Sequence, residues 1–204
     1  MGVINITPDS FSDGGRFLQA DLAVTQAAIQ LSQGADMLDL GAQSTRPGAD
    51  EVGAEEELRR LLPPLRRIRE RFQDALISVD TFLAPVAEAA LDAGADWVND
   101  VSAGRRDPGM LPLIAAAGCP VVLMHSRGNS RTMDQLTDYT DVVQEVREGL
   151  EERTDSALQA GISLDQIIWD PGLGFAKTTE QNLQLLKGLD RLSPEGVPLL
   201  VGPS

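Results

Sequence analysis

Seven short apolar runs recur along the chain: Gly2–Ile6, Met37–Leu40, Leu76–Asp80, Trp97–Asp100, Val121–Met124, Ile167–Asp170 and Leu199–Gly202. Each is too short for a buried helix and reads as a strand covered on both faces. Between them the apolar positions recur at helical spacing, over Leu22–Leu31, Glu55–Phe72, Pro85–Ala93, Pro108–Ala117, Val142–Gln159 and Glu180–Leu189. In the longest charged stretch Glu55, Glu56 and Glu57 stand near the start and Arg66, Arg67 and Arg69 near the end, the order a helix dipole favours. Four helix-to-strand joints look alike: Gly34-Ala35-Asp36, Gly94-Ala95-Asp96, Gly118-Cys119-Pro120 and Gly161-Ile162-Ser163. Glycine tolerates the left-handed turn that ends a helix, so each joint predicts a cap followed by a new strand. The result is a weak internal repeat of one βα unit.

Strands alternating with helices mean a parallel sheet covered by helices, either a barrel or an open doubly wound sheet. The placement of polar residues favours the barrel. Asn5, Asp39, Asp80, Asn99, Asp100, His125 and Asp170 sit at or just past the C-terminal ends of strands. In a barrel those ends converge on one mouth, where ligands bind. In an open sheet only the switch point would use them. The expectation is an α/β TIM (β/α)8 barrel, one domain over residues 1–204. A closed barrel needs eight strands and about 250 residues. Seven strands are visible and the sequence stops at Gly202-Pro203-Ser204, so the expected barrel is short of its eighth βα unit.

With 42% apolar and 24% charged residues, the composition is that of a chain able to bury one sizeable core. Seventeen Lys and Arg against 31 Asp and Glu give a net charge of −14. Such a surface repels phosphate backbones and anionic lipid, which argues against nucleic-acid and membrane-surface binding. An anionic substrate would need a local cationic or metal-bearing pocket. The single cysteine, Cys119, cannot form an internal disulfide, which fits the cytoplasm. One cysteine and one histidine cannot build a zinc site of the usual kind, so a metal would be a hard, oxygen-bound ion such as magnesium. No apolar run approaches the roughly 20 residues of a membrane span, and no signal segment opens the sequence.

The first loop, Asn5-Ile6-Thr7-Pro8-Asp9-Ser10-Phe11-Ser12-Asp13-Gly14-Gly15, is small, polar and glycine-rich, a composition that also simply makes turns. The second, Gly41-Ala42-Gln43-Ser44-Thr45-Arg46-Pro47-Gly48-Ala49, offers hydroxyls and a guanidinium. The forked donors of Arg46 match phosphate or carboxylate; the alternative is a salt bridge that orders the loop. Asp80 and Asp170 each end an apolar strand, where a partly desolvated carboxylate needs donors. A flat heterocycle with amidine-like N–H groups supplies them bidentately, and Asn99 can both donate and accept. The alternative is that these residues cap the following helices. His125 invites a catalytic role, and its plainer reading is a hydrogen-bonded structural histidine. Cys119 reads as a small core residue. Gly172 and Gly174 would let a ring approach the backbone. Lys177 either binds an anion or is solvated. The residues alone describe a barrel with an acidic, heterocycle-sized pocket and a magnesium–anion site at its mouth.

In these motifs the chain resembles the dihydropteroate synthases of the pterin-binding barrel family. Six segments stand in the family's order: Met1 to Gly15, Asp39 to Ala49, Ser78-Val79-Asp80-Thr81, Val98-Asn99-Asp100, Leu123-Met124-His125 and Asp170-Pro171-Gly172-Leu173-Gly174-Phe175. Gln43 stands where the family usually carries glutamate. The resemblance implies condensation of 6-hydroxymethyl-7,8-dihydropterin diphosphate with 4-aminobenzoate, giving 7,8-dihydropteroate and diphosphate in folate biosynthesis, with Mg²⁺ as cofactor. It implies that Asp80, Asn99 and Asp170 grip the pterin while Met124 and Phe175 pack in its pocket. Asn5 would meet Mg²⁺ and the diphosphate, and Thr45 the phosphate side. Phe11, Arg46 and Pro47 would close over the aminobenzoate, and Ser204 would lie near its carboxylate. It further implies a sulfonamide target that is a homodimer when full length. The family's Arg-Lys pair after that serine, and the Arg and His ending its eighth strand, would fall beyond residue 204. Two rivals share the pterin carboxylates: a methyltetrahydrofolate methyltransferase, which has no need of the Ser44-Thr45-Arg46-Pro47-Gly48 loop, and a non-catalytic pterin-binding fragment.

Overall fold

The computed structural model describes residues 1–6, 16–44, 48, 50–193 and 196–202, the backbone alone at 16–19. Strand and helix alternate: β1 (Gly2–Asn5), α1 (Arg16–Ser32), β2 (Met37–Gly41), α2 (Ala54–Arg71), β3 (Leu76–Asp80), α3 (Ala84–Asp92), β4 (Trp97–Asp100), α4 (Met110–Ala117), β5 (Val121–Met124), α5 (Val142–Gln159), β6 (Ile167–Asp170), α6 (Thr179–Lys187) and α7 (Leu189–Leu192). The chain falls into two compact units, one of residues 1–44 and 50–99, the other of 45–49 and 100–204.

In the first unit β1 to β4 pair in parallel, in sequence order. The register puts Asp39 beside Ser78, Gly41 between Asn5 and Asp80, and Asp80 beside Asn99. Side chains alternate along a strand, so these polar residues share one face of the sheet. The other face carries Leu38, Leu40, Ile77, Val79 and Val98, all fully buried. The helices supply its cover, α2 packing on α1 and on α3. Leu61, Leu65 and Ile68 make the buried stripe of α2 at helical spacing, holding the helix together although Pro63 and Pro64 lie inside it. Arg69, in its last turn, donates to the carbonyls of Gly94, Gln73 and Ala75 and to Asp96, whose carboxylate also accepts from the Ile77 amide. This brace lies at the N-terminal end of the strands, leaving the other end to chemistry.

In the second unit β5 and β6 pair in parallel, with Leu123 opposite Trp169 and Met124 opposite Asp170. Val121, Leu123, Ile167, Val146 and Leu150 are buried, and Trp169 donates its indole N–H to Thr154 on α5 at 2.8 Å. Asp141 caps α5 by accepting from Val143 and Gln144. Thr178 and Gln181 form a reciprocal cap that starts α6 directly after Lys177.

All four joint glycines have positive φ, from 66° at Gly118 to 102° at Gly94, as the βα repeat predicts. The seventh apolar run differs from expectation. It makes a single bridge, Leu199 to Trp169, flanked by Trp169 N–H to Pro198 O and Leu200 N–H to Trp169 O. Pro198 has no N–H to extend that ladder. Residues 189–192 form a separate short helix rather than the end of α6, because Gly188 interrupts the helical backbone.

Candidate active site

Asp39 is the centre of the first unit's polar face. It is 4% exposed, and its Oδ2 accepts from Asn99 Nδ2 at 3.1 Å. Its Oδ1, the Ser78 hydroxyl and Asn99 Oδ1 are buried without a hydrogen-bond partner. Burial pushes the Asp39 carboxyl above its ordinary range, and the neighbouring Ser78 and Asn99 pull it partly back. Such atoms are costly to leave unmatched, so the face is shaped for a polar group that brings its own donors and acceptors. Asp80 is half-buried at the end of β3. A side chain at Gly41 would press on its carboxylate, with Cβ 3.3 Å from Oδ2, so the glycine leaves that carboxylate its room. Asn5, at the end of β1, is exposed.

Gln43 closes the base of the second loop. Its Nε2 donates to the carbonyls of Ser44 (3.0 Å) and Asp50 (3.3 Å), while Oε1 accepts from the Val52 amide (2.8 Å). The amide uses both its donor and its acceptor, which a carboxylate could not do; this is the physical content of the departure from glutamate. Glu55, Glu56 and Glu57 stand in the first turn of α2, as the dipole reading expects, but Glu57 is set apart by its burial. Glu56 pairs with Arg59 and Arg60 at the surface, whereas Glu57 turns inward, fully buried, with both oxygens unpartnered. Burial raises its carboxyl, against the pull of Thr81 and Arg60.

The second unit holds its polar groups differently. Asp100 accepts from Ser102 N–H, the Ser102 hydroxyl and Gly104 N–H, which makes it the organiser of its own turn. Asp170 Oδ1 accepts from Gly172 N–H at 2.7 Å. Neither Asp80 nor Asp170 caps the next helix: Leu83 and Thr178 occupy those positions. A Cβ at Gly172 would collide with the carbonyl oxygen of His125, so the loop after β6 runs against the end of β5 where only glycine fits. Met124 is buried and Phe175 half-buried.

Lys177 is neither solvated nor surface-facing. It is 8% exposed, and its ammonium lies 3.1 Å from His125 Nδ1 and within 2.9–3.4 Å of the carbonyls of Phe175, Gly172 and His125. With Lys177 charged, its ammonium donates to Nδ1 of a neutral imidazole, which then carries its proton on Nε2. Burial, Lys177, Arg105 and Arg127 together push the imidazole down to about 2. The ring packs against Gly149 of α5, where a Cβ would stand 2.9 Å from Cδ2. The ring is thus held by a hydrogen bond and by packing. Cys119 is buried, as a small core residue should be.

Phe11, Thr45, Arg46, Pro47 and Ser204 lie outside the described residues. Among the described residues no cluster of His, Cys, Asp and Glu is arranged to hold a metal, and no helix is long and apolar enough to cross a membrane. The alternation in Met37-Leu38-Asp39-Leu40-Gly41 and Leu76-Ile77-Ser78-Val79-Asp80 is the signal that identifies the Asp39–Ser78 pair. No comparable signal marks Glu57 as buried or Lys177 as internal.

The whole chain, residues 1–204, matches the family of pterin binding enzymes. It is 49% identical over 204 residues to the dihydropteroate synthase of Synechocystis sp., of which it covers 70%. It is 44% identical over 209 residues to the folic acid synthesis protein fol1 of Pneumocystis carinii, spanning 28% of that longer protein. The structure of dihydropteroate synthase from Xanthomonas albilineans with 4-aminobenzoic acid superposes with a TM-score of 0.90 at 47% identity, covering 100% of this chain and 72% of that one. The fold class is therefore α/β, of the TIM-barrel kind.

Proposed function

Because the chain belongs to the pterin-binding enzyme family, among the dihydropteroate synthases that serve as transferases of folate synthesis, we propose that its strand-end carboxylates and Asn99 bind the pterin of 6-hydroxymethyl-7,8-dihydropterin diphosphate. The co-substrate in this reading is 4-aminobenzoate. The supporting observation is the set of buried, unmatched polar atoms on Asp39, Ser78 and Asn99. They call for a flat partner with N–H donors and ring-nitrogen acceptors along one edge. Asp80 and Asp170 accept N–H bonds, and Met124 and Phe175 pack against the ring.

When the C–O bond to diphosphate breaks, its electron pair leaves with the diphosphate and positive charge develops on the methylene and ring. Carboxylates fixed beforehand stabilise that charge where it appears. The aniline nitrogen then forms the new C–N bond and releases a proton. It is weakly basic and needs no strong base to hold it neutral, which suits residues that include none. Asn5 offers one exposed, neutral amide oxygen, and among the described residues no cluster of His, Cys, Asp and Glu is arranged to hold a metal. A neutral amide oxygen fits Mg²⁺ that arrives with the diphosphate and its waters. Bound there, the ion would neutralise the leaving group. Thr45 is assigned to the phosphate side, Phe11, Arg46 and Pro47 to closure over the aminobenzoate, and Ser204 to its carboxylate. One pterin-binding barrel domain over 1–204, a homodimer when full length and a cytoplasmic location complete the proposal.

Calorimetric titration with the pterin diphosphate and Mg²⁺ tests it. The unsubstituted chain binds; Asp170→Asn and Asp80→Asn lose roughly 100-fold in affinity while melting normally. Unchanged affinity in either variant would falsify its assignment. Formation of dihydropteroate on adding 4-aminobenzoate separates this reading from a methyltransferase or a silent binder.

A further inference from the structure

The buried ammonium of Lys177 has no task in the reaction above, yet the backbone is shaped around it. Ala176, buried and non-glycine, takes a left-handed φ of 53°, and the next side chain turns inward. Four acceptors from two strand ends meet at that one nitrogen, three of them main-chain carbonyls. Two of the carbonyls belong to Gly172 and Phe175, in the same loop whose Gly172 N–H holds Asp170. The third belongs to His125, whose amide in turn donates to the Asp170 carbonyl. Asp170 is thus gripped from both sides by groups that Lys177 ties together.

We propose that Lys177 is a positioning residue for pterin binding, its ammonium holding the Gly172–Phe175 loop against the end of β5 so that Asp170 presents its carboxylate in one fixed direction. The inference rests on the pterin reading of Asp170. An ammonium can serve three acceptors at once and a neutral amine only two, so the brace weakens when the proton leaves. The groups acting on it are Asp170 from β6, His125 directly after β5, Arg127 from the loop that follows and Arg105 from the loop after β4. Burial and the two arginines lower the lysine to about 7, and Asp170 pulls it back up. Pterin affinity therefore falls as the solution passes from acidic to alkaline.

The test titrates the full chain with 6-hydroxymethyl-7,8-dihydropterin between about pH 6 and pH 9, beside Lys177→Met and Lys177→Arg, recording melting temperatures throughout. The unsubstituted chain loses about tenfold in affinity across that range, with a midpoint near the lysine's own. Lys177→Met binds weakly at every pH and its profile is flat relative to the parent; Lys177→Arg, charged throughout, binds better than Lys177→Met and is also flat. The ligand's own titration is common to all three and cancels in the comparison. A lysine that only stabilised the fold would lower melting temperature and leave the slope unchanged. An unchanged slope in Lys177→Arg overturns the inference even if Lys177→Met does not fold. Absence of binding by the unsubstituted chain overturns the pterin reading itself, and the inference with it.

Discussion

Asp39, Ser78 and Asn99 in the first unit leave three buried polar atoms without partners, whereas in the second unit Asp100 collects three donors and Lys177 four acceptors. One group lies along the strands, Asp39 and Ser78 at the middle of β2 and β3, and the other at or beyond strand ends, and their chemistry is similar. The difference is in what completes them. Groups already completed by the chain belong to the loop's own architecture. Groups left incomplete at real desolvation cost are those for which a ligand supplies the missing half. Substitutions that break a completed turn, as at Gly172, should therefore damage folding, and those at Asp39, Ser78 and Asn99 recognition.

Gly172→Ala drives a methyl group into the His125 carbonyl and should give the largest loss, about 3 kcal/mol of unfolding free energy in urea; a loss below about 1 kcal/mol would show that the loop yields rather than braces. Asp39→Asn keeps an acceptor for Asn99 and relieves a buried carboxylate, so its unfolding curve should match or exceed the parent's. Its pterin affinity should nonetheless drop about 100-fold, equivalent to roughly 2.7 kcal/mol. A variant that melts early and binds normally would reverse the contrast. Removing Arg69 checks that stability in the first unit comes from the opposite strand ends: Arg69→Ala should cost about 2 kcal/mol and leave pterin affinity alone.

Glu57→Gln sharpens the comparison by pH. Burial raises the Glu57 carboxyl above its ordinary 4.5. Between that value and the folded one, the native state keeps a proton that the unfolded chain has released, so stability falls as pH rises through the window. The glutamine variant should gain about 1 kcal/mol over the parent at pH 8 and nothing near pH 4; an equal gain at both would mean a packing effect. Smallest of all, Gln43→Glu turns a carboxylate toward the Ser44 and Asp50 carbonyls and should cost about 0.5 kcal/mol, read by thermal melting.

Much of this architecture is legible in the residues. The run Val121–Met124 and the helix Val142–Gln159 are found at their expected bounds, because strong periodicity and the Asp141 cap mark them. The glycine joints are legible for a steric reason that acts on single residues. Burial on both faces, the expectation for every strand, holds for β2 and for the middle of β3, and it does not by itself show that one buried face is polar, which alternation within those five-residue runs does reveal. Lys177 and Glu57 were not legible. A lysine after Phe175-Ala176 and a glutamate in a Glu-Glu-Glu run carry the same letters whether they face solvent or the interior. Only the carbonyls of Gly172 and Phe175, or the Thr81 side of α2, decide which.

Trp169 is buried one residue before Asp170, its indole N–H bonded to Thr154, while Trp97 is half-buried two residues before Asn99. These are the two tryptophans of the sequence, one in each unit. The protein therefore carries two native optical probes with different surroundings, and the shielded indole of Trp169 should emit to the blue of the wetter one of Trp97. Replacing either with phenylalanine would let emission from the other follow events at its own strand as ligand is added, without any attached dye.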